Sequence, residues 1–341
     1  MIRFQKLYTA LFIFSCLAPI GLNAQGLQVS TVLENINASG GVTTDRQGNV
    51  YISDYGSTLR NPPTPTKVYK LDIRTGEVSV FAEGFLGASG ACFDAKGNFY
   101  QSNPFGNKVS KRGADGTLQL DWAIDSLSLP VGLAADAKNR IYVCNCSGNY
   151  ISRIQPSGQT ERFAQSPEFK CPNGLTIDPA GNLYACNFGN GKILKITPDG
   201  AVSVFAELPV LTGGPSPVGN GHLTWANGFL FVTTIGPGAV YKISMAGVAE
   251  HIAGAPFSFK NTDGPALEAG FSKPNGIAAS PSGDTLYLNV SDPSWVQNPP
   301  GLHPAHLKMI TGLCALPDIA CKKPRKGLFA RIRNWFRRKP E

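Results

Sequence analysis

The sequence predicts an all-β fold, a six-bladed β-propeller of four-stranded antiparallel blades that is closed by the N-terminal strand. Three observations favour it: a six-fold repeat, many short strand-like runs between glycine- and proline-rich turns, and one more such run before the first repeat. The chain has 341 residues, of which 42% are hydrophobic, 38 are Gly and 26 are Pro. This composition is sufficient for one large β core.

Each repeat opens with a glycine and carries an aromatic residue ten or eleven positions later. The clearest copy, residues 171–187, reads CPNGLTIDPAGNLYACN. The glycines recur every 42 to 55 residues, a period typical of propeller blades. In four repeats an aspartate follows the glycine by four positions and can hydrogen-bond the backbone of the next turn. The glycines are Gly41, Gly90, Gly132, Gly174, Gly221 and Gly276; the aromatic residues are Tyr51, Tyr100, Tyr142, Tyr184, Phe231 and Tyr287; the aspartates are Asp45, Asp94, Asp136 and Asp178.

The segment before the first repeat predicts how the ring closes. Residues 27–34 read LQVSTVLE and match the outer strands of later blades, EVSVFAE at 77–83 and AVSVFAE at 201–207. We expect this segment to pair into the last blade, which removes the open sheet edges. Blade six should then contribute only three strands of its own, the third around residues 306–310.

Four insertions fall in connections that emerge on one face of a propeller. Two lie between second and third strands, and two lie between an outer strand and the next inner strand. This elaborated face is therefore predicted to be the functional one. The alternative is neutral surface variation, because long loops cost little free energy. The insertions are residues 57–66, 211–219, 255–272 and 293–304.

The first 24 residues have the features of a signal peptide. Arg3 and Lys6 supply a positive start, residues 11–20 are mostly apolar, and cleavage is predicted after Ala24. The apolar run is shorter than a membrane span, which disfavours a membrane anchor. Lipidation at Cys16 remains an alternative, since the preceding residues loosely resemble a lipoprotein cleavage box. The sequence predicts export to the periplasm or the extracellular space, with a signal peptide at 1–24, the propeller at 25–313 and a tail at 314–341.

Export permits disulfides, and seven cysteines follow Cys16. Their odd number requires at least one free or intermolecular thiol, and Cys92, within an inner strand, is expected to be a buried free one. The next four allow a staple between blades three and four, with its connectivity left open. Two of them form a Cys-x-Cys fragment typical of metal sites, but the lack of a nearby histidine favours disulfides. The last two can close a small loop before the tail. The seven are Cys92, Cys144, Cys146, Cys171, Cys186, Cys314 and Cys321.

The net charge of +8 belongs to the tail. Nine basic residues and one acidic residue follow residue 321, so the propeller itself is close to neutral and no nucleic-acid partner is expected. Residues 327–339 fit a short basic amphipathic helix suited to an anionic membrane surface. A disordered, solvated tail is the alternative. The apolar positions are Leu328, Phe329, Ile332, Trp335 and Phe336, and the basic positions are Arg331, Arg333, Arg337 and Arg338.

The repeats resemble those of NHL-repeat propellers and of the related gluconolactonase and senescence marker protein family. The resemblance rests on PNGLTIDPAGNLYACN at 172–187, PNGIAASPSGDTLYL at 274–288 and TDGPALEAGFSKPNGIA at 262–278. It extends over residues 40–292. It implies a six-bladed propeller, and for the lactonase members it implies a divalent cation such as calcium, zinc or manganese at the mouth of the channel.

In that family a glutamate from the first blade and Asn or Asp residues just before the inner-strand glycines hold the cation. Asn173 and Asn220 match the family's Asn/Asp positions, and Gly40 stands where the glutamate is expected. Hard divalent cations prefer carboxylates, so the resemblance predicts at most a weak site at Asn173 and Asn220. The six equivalent positions are Gly40, Ser89, Val131, Asn173, Asn220 and Asn275.

We therefore predict an exported propeller that binds a small molecule or an extracellular partner at the channel mouth. The alternatives are a metal-dependent lactonase or related hydrolase and a structural scaffold. His222 is a candidate general base, although a channel histidine can equally be a hydrogen-bonded structural residue. Residues three after the blade aromatic, such as Asp54 and Asn187, either cap turns or face the ligand. The predicted ligand-binding residues are Ser89, Asn173, Asn220, Asn275, Asp54 and Asn187.

Overall fold

The computed structural model of the chain describes residues 26–58, 64–213, 217–292 and 301–321. These residues form six antiparallel sheets whose inner strands contact one another in a closed ring around a channel. The predicted six-bladed β-propeller is confirmed. The predicted signal peptide, Cys16 and the basic segment after residue 321 lie outside the described residues. Among the described residues, no helix is long and apolar enough to cross a membrane.

The described residues contain 25 strands and two short 3-10 turns, Pro104–Gly106 and Leu313–Ala315. The strands are β1 (Gln28–Ile36), β2 (Val42–Thr44), β3 (Val50–Ser53), β4 (Pro65–Leu71), β5 (Val78–Leu86), β6 (Ala91–Phe93), β7 (Phe99–Asn103), β8 (Lys108–Arg112), β9 (Leu118–Ala123), β10 (Pro130–Ala135), β11 (Ile141–Asn145), β12 (Tyr150–Ile154), β13 (Thr160–Gln165), β14 (Pro172–Ile177), β15 (Leu183–Asn187), β16 (Lys192–Ile196), β17 (Val202–Glu207), β18 (Asn220–Ala226), β19 (Phe229–Thr234), β20 (Ala239–Ser244), β21 (Ala249–Ala253), β22 (Gly264–Pro265), β23 (Ile277–Ala279), β24 (Thr285–Ser291) and β25 (Ala305–Thr311).

Blades one to five each run outward from the channel in chain order, from β2–β5 to β18–β21. Blade six has the order β23-β24-β25-β1-β22, so the N-terminal strand completes it as predicted. Its third strand, β25, covers the predicted residues 306–310. The two-residue β22 adds an edge strand that the repeat pattern does not predict; it pairs with the start of β1.

A buried charge holds the closing strand in place. Lys308 of β25 is 2% exposed, and its ammonium group donates to Asp263 Oδ1 at 2.6 Å and to Thr31 Oγ1 at 3.0 Å. The Asp263 carboxylate also accepts the Thr31 backbone N–H at 2.8 Å. The N-terminal strand is thus tied to blade six by side chains as well as by the ladder in which Thr31 faces Lys308.

The opening glycines allow neighbouring inner strands to approach backbone to backbone. A Cβ on Gly132 would lie 2.5 Å from the carbonyl oxygen of Asn173, and a Cβ on Gly174 would lie 2.7 Å from the Cα of His222. A Cβ on Gly221 would likewise lie 2.6 Å from a carbonyl oxygen of the next blade. No side chain fits at these positions, which explains why the repeat requires glycine there.

A second ring of contacts joins the blades through the residue two positions after each blade aromatic. Five of the six donate to a carbonyl oxygen at or beside the next blade's opening glycine; Ser102 Oγ, for example, donates to Val131 at 2.6 Å. The thiol of Cys186 donates to Gly221 at 3.1 Å in the same way. The buried thiols of blades three and four are therefore structural donors. The six residues are Ser53, Ser102, Cys144, Cys186, Thr233 and Asn289.

The aspartate of the repeat fixes the turn and the aromatic residue together. In blade one, Asp45 accepts the backbone N–H groups of Gln47 and Asn49 at 2.9 Å, and its second oxygen accepts the Tyr51 hydroxyl at 3.0 Å. The predicted turn-capping role is thus present, and the hydrogen bond to tyrosine explains the constant spacing between the two residues.

Two disulfides are formed, Cys146–Cys171 and Cys314–Cys321. The first is the expected staple between blades three and four, and the second closes the small loop after blade six. The remaining three described cysteines are free and buried, among them Cys92 as expected.

We expect Gly132→Ala to lower the free energy of unfolding by about 3 kcal/mol, because backbone surrounds the added methyl group and cannot move aside. Gly106→Ala is the matched control, since a Cβ there meets only side chains of Lys108 and Leu86 at 3.2 Å or more. The measurement is chemical unfolding of both variants. Equal midpoints for the two would contradict the proposed role of the glycine ring.

We expect Asp263→Asn to destabilise the closing strand by about 1–2 kcal/mol at neutral pH, since Lys308 would lose its charged partner. Partial burial alone would raise the pKa of Asp263, but hydrogen bonds from Lys308 and Thr31 outweigh it and lower the pKa below its ordinary 3.8. The contribution of this carboxylate is therefore complete above about pH 4 and is lost as the pH falls through the lowered value.

The measurement is urea unfolding of native protein and variant from neutral to acid pH. Asp121→Asn is the control, because its carboxylate pairs with Lys108 while 68% exposed and should contribute less than about 0.5 kcal/mol. A pH-independent difference between native protein and Asp263→Asn would show that charge is not the cause.

Candidate functional site

The channel has a cavity at each end, and the two share no lining residue. The mouth cavity, of about 290 Å³, opens on the elaborated face. The funnel, of about 910 Å³, opens on the opposite, tight face, where the short turns between first and second strands lie. The ring of opening glycines lies between them, because residues before the glycines line the mouth cavity and residues after them line the funnel.

The insertions shape the mouth cavity. Those of blades one and six lie side by side, with Thr58 bridged to Gly301 and the Leu302 N–H bonded to Ser57 O at 2.8 Å. Leu302 then lines the cavity, as does Val218 from the insertion before blade five. Most of the wall is apolar and includes Leu129, Val131, Phe188, Val218, Ile235 and Leu302.

Three of the predicted ligand-binding residues line this cavity: Ser89, Asn173 and Asn275. The Asn173 side-chain amide donates to the carbonyl oxygen of Gly221 at 2.9 Å, and that of Asn275 donates to Ser39 at 2.8 Å. Each amide thereby bridges to the next blade. The Asn275 Oδ1 atom is buried and has no hydrogen-bond partner among the residues that the structure describes, so its capacity to accept a hydrogen bond is unused there.

The other three predicted residues lie away from the cavity wall. Asn220 is fully buried, and neither Oδ1 nor Nδ2 of its amide has a hydrogen-bond partner within the described ranges. Asp54 accepts the Gly56 N–H and His303 Nε2, each at 2.9 Å. Asn187 donates to Glu168 O at 2.8 Å. For Asp54 and Asn187 these contacts correspond to the turn-capping alternative.

Lys273 is the cavity residue that the sequence reading missed. It is 3% exposed, has a left-handed φ of 47°, and its ammonium group donates to Asp292 O at 2.6 Å. Burial lowers its pKa to about 8, against the opposing effect of Asp292. Its place directly before the Pro-Asn-Gly of blade six was the available signal. Together with Tyr55, it is one of the two ionisable side chains among the described residues of the cavity wall.

The residues at the mouth do not fit the divalent cation that the family resemblance implies. No carboxylate is among the described residues that line the cavity. Gly40 cannot be replaced by a ligand, because a Cβ there would collide with the carbonyl oxygen of Ala88. The remaining oxygen donors are neutral, and the Lys273 ammonium repels cations. Calcium and similar ions require several carboxylate or carbonyl ligands.

Another group of possible ligands does not form a metal site either. Atoms of Asp284, Cys314 and Cys321 lie within 4.8 Å of one another. Both sulfurs are joined in the disulfide, so no thiolate is present to bind a metal.

His222 lies at the floor of the funnel and not in the mouth cavity. Burial lowers its pKa to about 4, so the imidazole is neutral at physiological pH. Its Nε2 atom is buried and has no hydrogen-bond partner in the part of the chain that the structure describes. A neutral imidazole is the protonation state of a general base, but this arrangement places it at the opposite end of the channel from the amide residues.

Comparisons with known proteins agree with the fold. Residues 27–172 match the family described as the SMP-30/gluconolactonase/LRE-like region. No curated protein matches the sequence.

Three solved structures illustrate the structural likeness. A gluconolactonase from Xanthomonas campestris has 15% identity and a TM-score of 0.60, with 84% of this chain and 89% of that chain covered. A virginiamycin B lyase from Staphylococcus aureus has 17% identity and a TM-score of 0.57, covering 84% and 99%. An auxiliary nutrient binding protein from Bacteroides ovatus has 12% identity and a TM-score of 0.64, covering 84% and 76%. At these identities the likeness concerns the fold. Residues 27–172 thus match the SMP-30/gluconolactonase/LRE-like region, in a six-bladed β-propeller with gluconolactonase-like structural neighbours.

Proposed function

We propose that this chain is an exported binding propeller that holds a small molecule in the mouth cavity. The observation that carries the proposal is an apolar cavity whose polar groups converge from Ser89, Asn275 and Lys273 and include no carboxylate among the described residues. Small-molecule sites commonly combine an apolar wall with a few placed polar groups. The two disulfides are consistent with a non-cytoplasmic location.

The chemistry of the wall indicates the kind of ligand. An apolar ring or chain would pack against Val131, Phe188 and Leu302. A carboxylate or carbonyl oxygen would be favoured by the Lys273 ammonium group, and a ligand N–H or hydroxyl would meet the unpartnered Oδ1 of Asn275. The proposed ligand is therefore a small, largely apolar molecule with an anionic or carbonyl end.

A metal-dependent lactonase is the second candidate function. It is favoured by the match of residues 27–172 to the gluconolactonase-like family. The donor set at the mouth argues against it, because without a bound cation the protein has no Lewis acid to polarise a lactone carbonyl or activate water.

We propose in addition that the segment after residue 321 attaches the propeller to an anionic surface. The base of this segment is fixed to blades five and six, since Asp318 pairs with the buried Lys242 at 2.6 Å. Cys321 accepts a hydrogen bond from Asn227, which lies in the turn between β18 and β19. The basic segment would therefore leave from the tight face.

We expect benzoate to raise the thermal unfolding midpoint of the native chain in a concentration-dependent way. Leu302→Trp should weaken benzoate binding at least tenfold by filling the cavity. Lys273→Met should weaken the binding of benzoate more than the binding of benzamide. Val248→Trp, at a 67% exposed position in a tight-face turn, is the control and should bind as the native protein does. Calorimetric titration supplies the affinities.

Two results would contradict this proposal. One is that the native protein does not bind benzoate, or that the native protein and all variants bind benzoate with the same affinity. The other is lactone hydrolysis that depends on added calcium, zinc or manganese and is abolished by Asn173→Ala. The second result would establish the lactonase alternative.

We expect the mature chain to sediment with phosphatidylserine-containing vesicles and not with pure phosphatidylcholine vesicles, because nine basic residues follow residue 321. Salt at about 0.5 M should release it by screening. A chain ending at residue 321 is the comparison and should stay in solution. Equal sedimentation of the two chains would exclude the tail as the attachment site.

A further inference from the structure

The funnel on the tight face has the dimensions of a ligand site that is independent of the mouth cavity. Its volume of about 910 Å³ lies within the range of small-molecule sites. The ring of opening glycines separates it from the mouth, and the two cavities have no lining residue in common. A molecule can therefore occupy the funnel without contact with Asn173, Lys273 or Asn275.

One residue on the funnel floor is polar where its equivalents in the other blades are apolar. The position directly after each opening glycine faces this end of the channel, and in five blades it is apolar. In blade five it is His222. The five apolar residues are Val42, Ala91, Leu133, Leu175 and Ile277.

One ring nitrogen of His222, Nε2, lacks the hydrogen-bond partner that a buried histidine nitrogen normally has. The residue is 7% exposed, and its Nε2 atom is shielded from solvent with no hydrogen-bond partner among the described residues. Its backbone N–H donates to the carbonyl oxygen of Asn275 at 2.9 Å. The backbone of this strand is therefore hydrogen-bonded, whereas the side-chain Nε2 atom is not. Burying a polar atom without a partner destabilises the folded state, so such an atom calls for an explanation.

Nearby carboxylates do not supply that partner. Asp45, Asp94 and Asp136 line the funnel, but each is engaged by its own turn and by the tyrosine hydroxyl of its blade. Burial keeps the imidazole neutral, with a pKa lowered to about 4. His222 therefore offers a hydrogen bond and no charge, which disfavours an anion as its ligand.

We propose that the funnel is a second binding site, for a small neutral molecule with an apolar body and a hydroxyl group. The body packs against Leu133, Leu175 and Ile277. The His222 ring, which lines the funnel, turns so that its shielded Nε2 atom forms the missing hydrogen bond with the ligand hydroxyl. A hydroxyl both donates and accepts, so it suits either tautomer of the ring. The hydroxyl-bearing ligand of the funnel is thus chemically distinct from the anionic ligand proposed for the mouth.

The test uses phenol, anisole and benzoate as probes, with affinities from saturation-transfer NMR. All measurements use the Leu302→Trp background, in which the mouth is filled. We expect phenol to bind at least tenfold more tightly than anisole, which lacks the donor, and than benzoate, which is charged. His222→Leu should lower the affinity for phenol to that for anisole. His222→Gln, which keeps a hydrogen-bonding group, should retain part of the preference for phenol over anisole.

Stability provides a second measurement on the same variants. His222→Leu should raise the thermal unfolding midpoint, because it removes the unpartnered nitrogen from an apolar ring. Equal binding of phenol and anisole, no binding of any probe, or a phenol preference that survives His222→Leu would overturn the proposal. Failure of benzoate to bind the native mouth would instead refute only the proposed function, since this experiment is carried out with the mouth closed.

Discussion

The close approach of neighbouring inner strands at the opening glycines is the contact on which the rest of this propeller depends. Where Gly132 meets the backbone of blade four, even a methyl group would stand 2.5 Å from a carbonyl oxygen. Hydroxyl, thiol and amide donors from the second strands then bind carbonyl oxygens at the same level. The ring is closed by backbone contact at its narrowest point, and side chains are left to fill the channel only above and below it.

This constraint explains why the fold could be predicted from the sequence. A position that admits only glycine recurs once per blade. In four blades an aspartate follows it at a fixed distance and binds the backbone of the turn and the tyrosine hydroxyl. Both requirements involve residues that are close together in the sequence, so they appear as a constant spacing between the glycine, the aspartate and the aromatic residue. The closing strand could also be predicted, because β1 repeats the sequence pattern of the outer strands of later blades. The pairing of Cys146 with Cys171 was not, since four cysteines occur close together and only their positions in space select a pair.

The candidate site was predicted only in part, for a related physical reason. The residue before each glycine has a backbone position set by the ring, so Ser89, Asn173 and Asn275 were found at the mouth. Side-chain direction is not set in this way, and Asn220 at an equivalent position is buried away from the cavity. Lys273 stands three residues before an opening glycine, as Leu129, Cys171 and Val218 do, but the residue type at this position differs from blade to blade. Leu302 reaches the mouth through an insertion whose path no repeat specifies. The funnel was missed because its volume arises from the spread of the blades beyond the glycine ring.

The same contact also bears on one residue that the resemblance to gluconolactonases implies for metal binding. A glutamate from the first blade is what the resemblance implies for metal binding, and Gly40 occupies that place. The carbonyl oxygen of Ala88 fills the space that a side chain at Gly40 would need, so the packing of blade one against blade two excludes a ligand at this position. With Lys273 at the mouth in addition, the likeness to gluconolactonases is retained in the backbone, while the described side chains that line the mouth cavity include one ammonium group and no carboxylate. The geometry of the ring therefore accounts for the absence of a side-chain ligand at this position of a gluconolactonase-like fold.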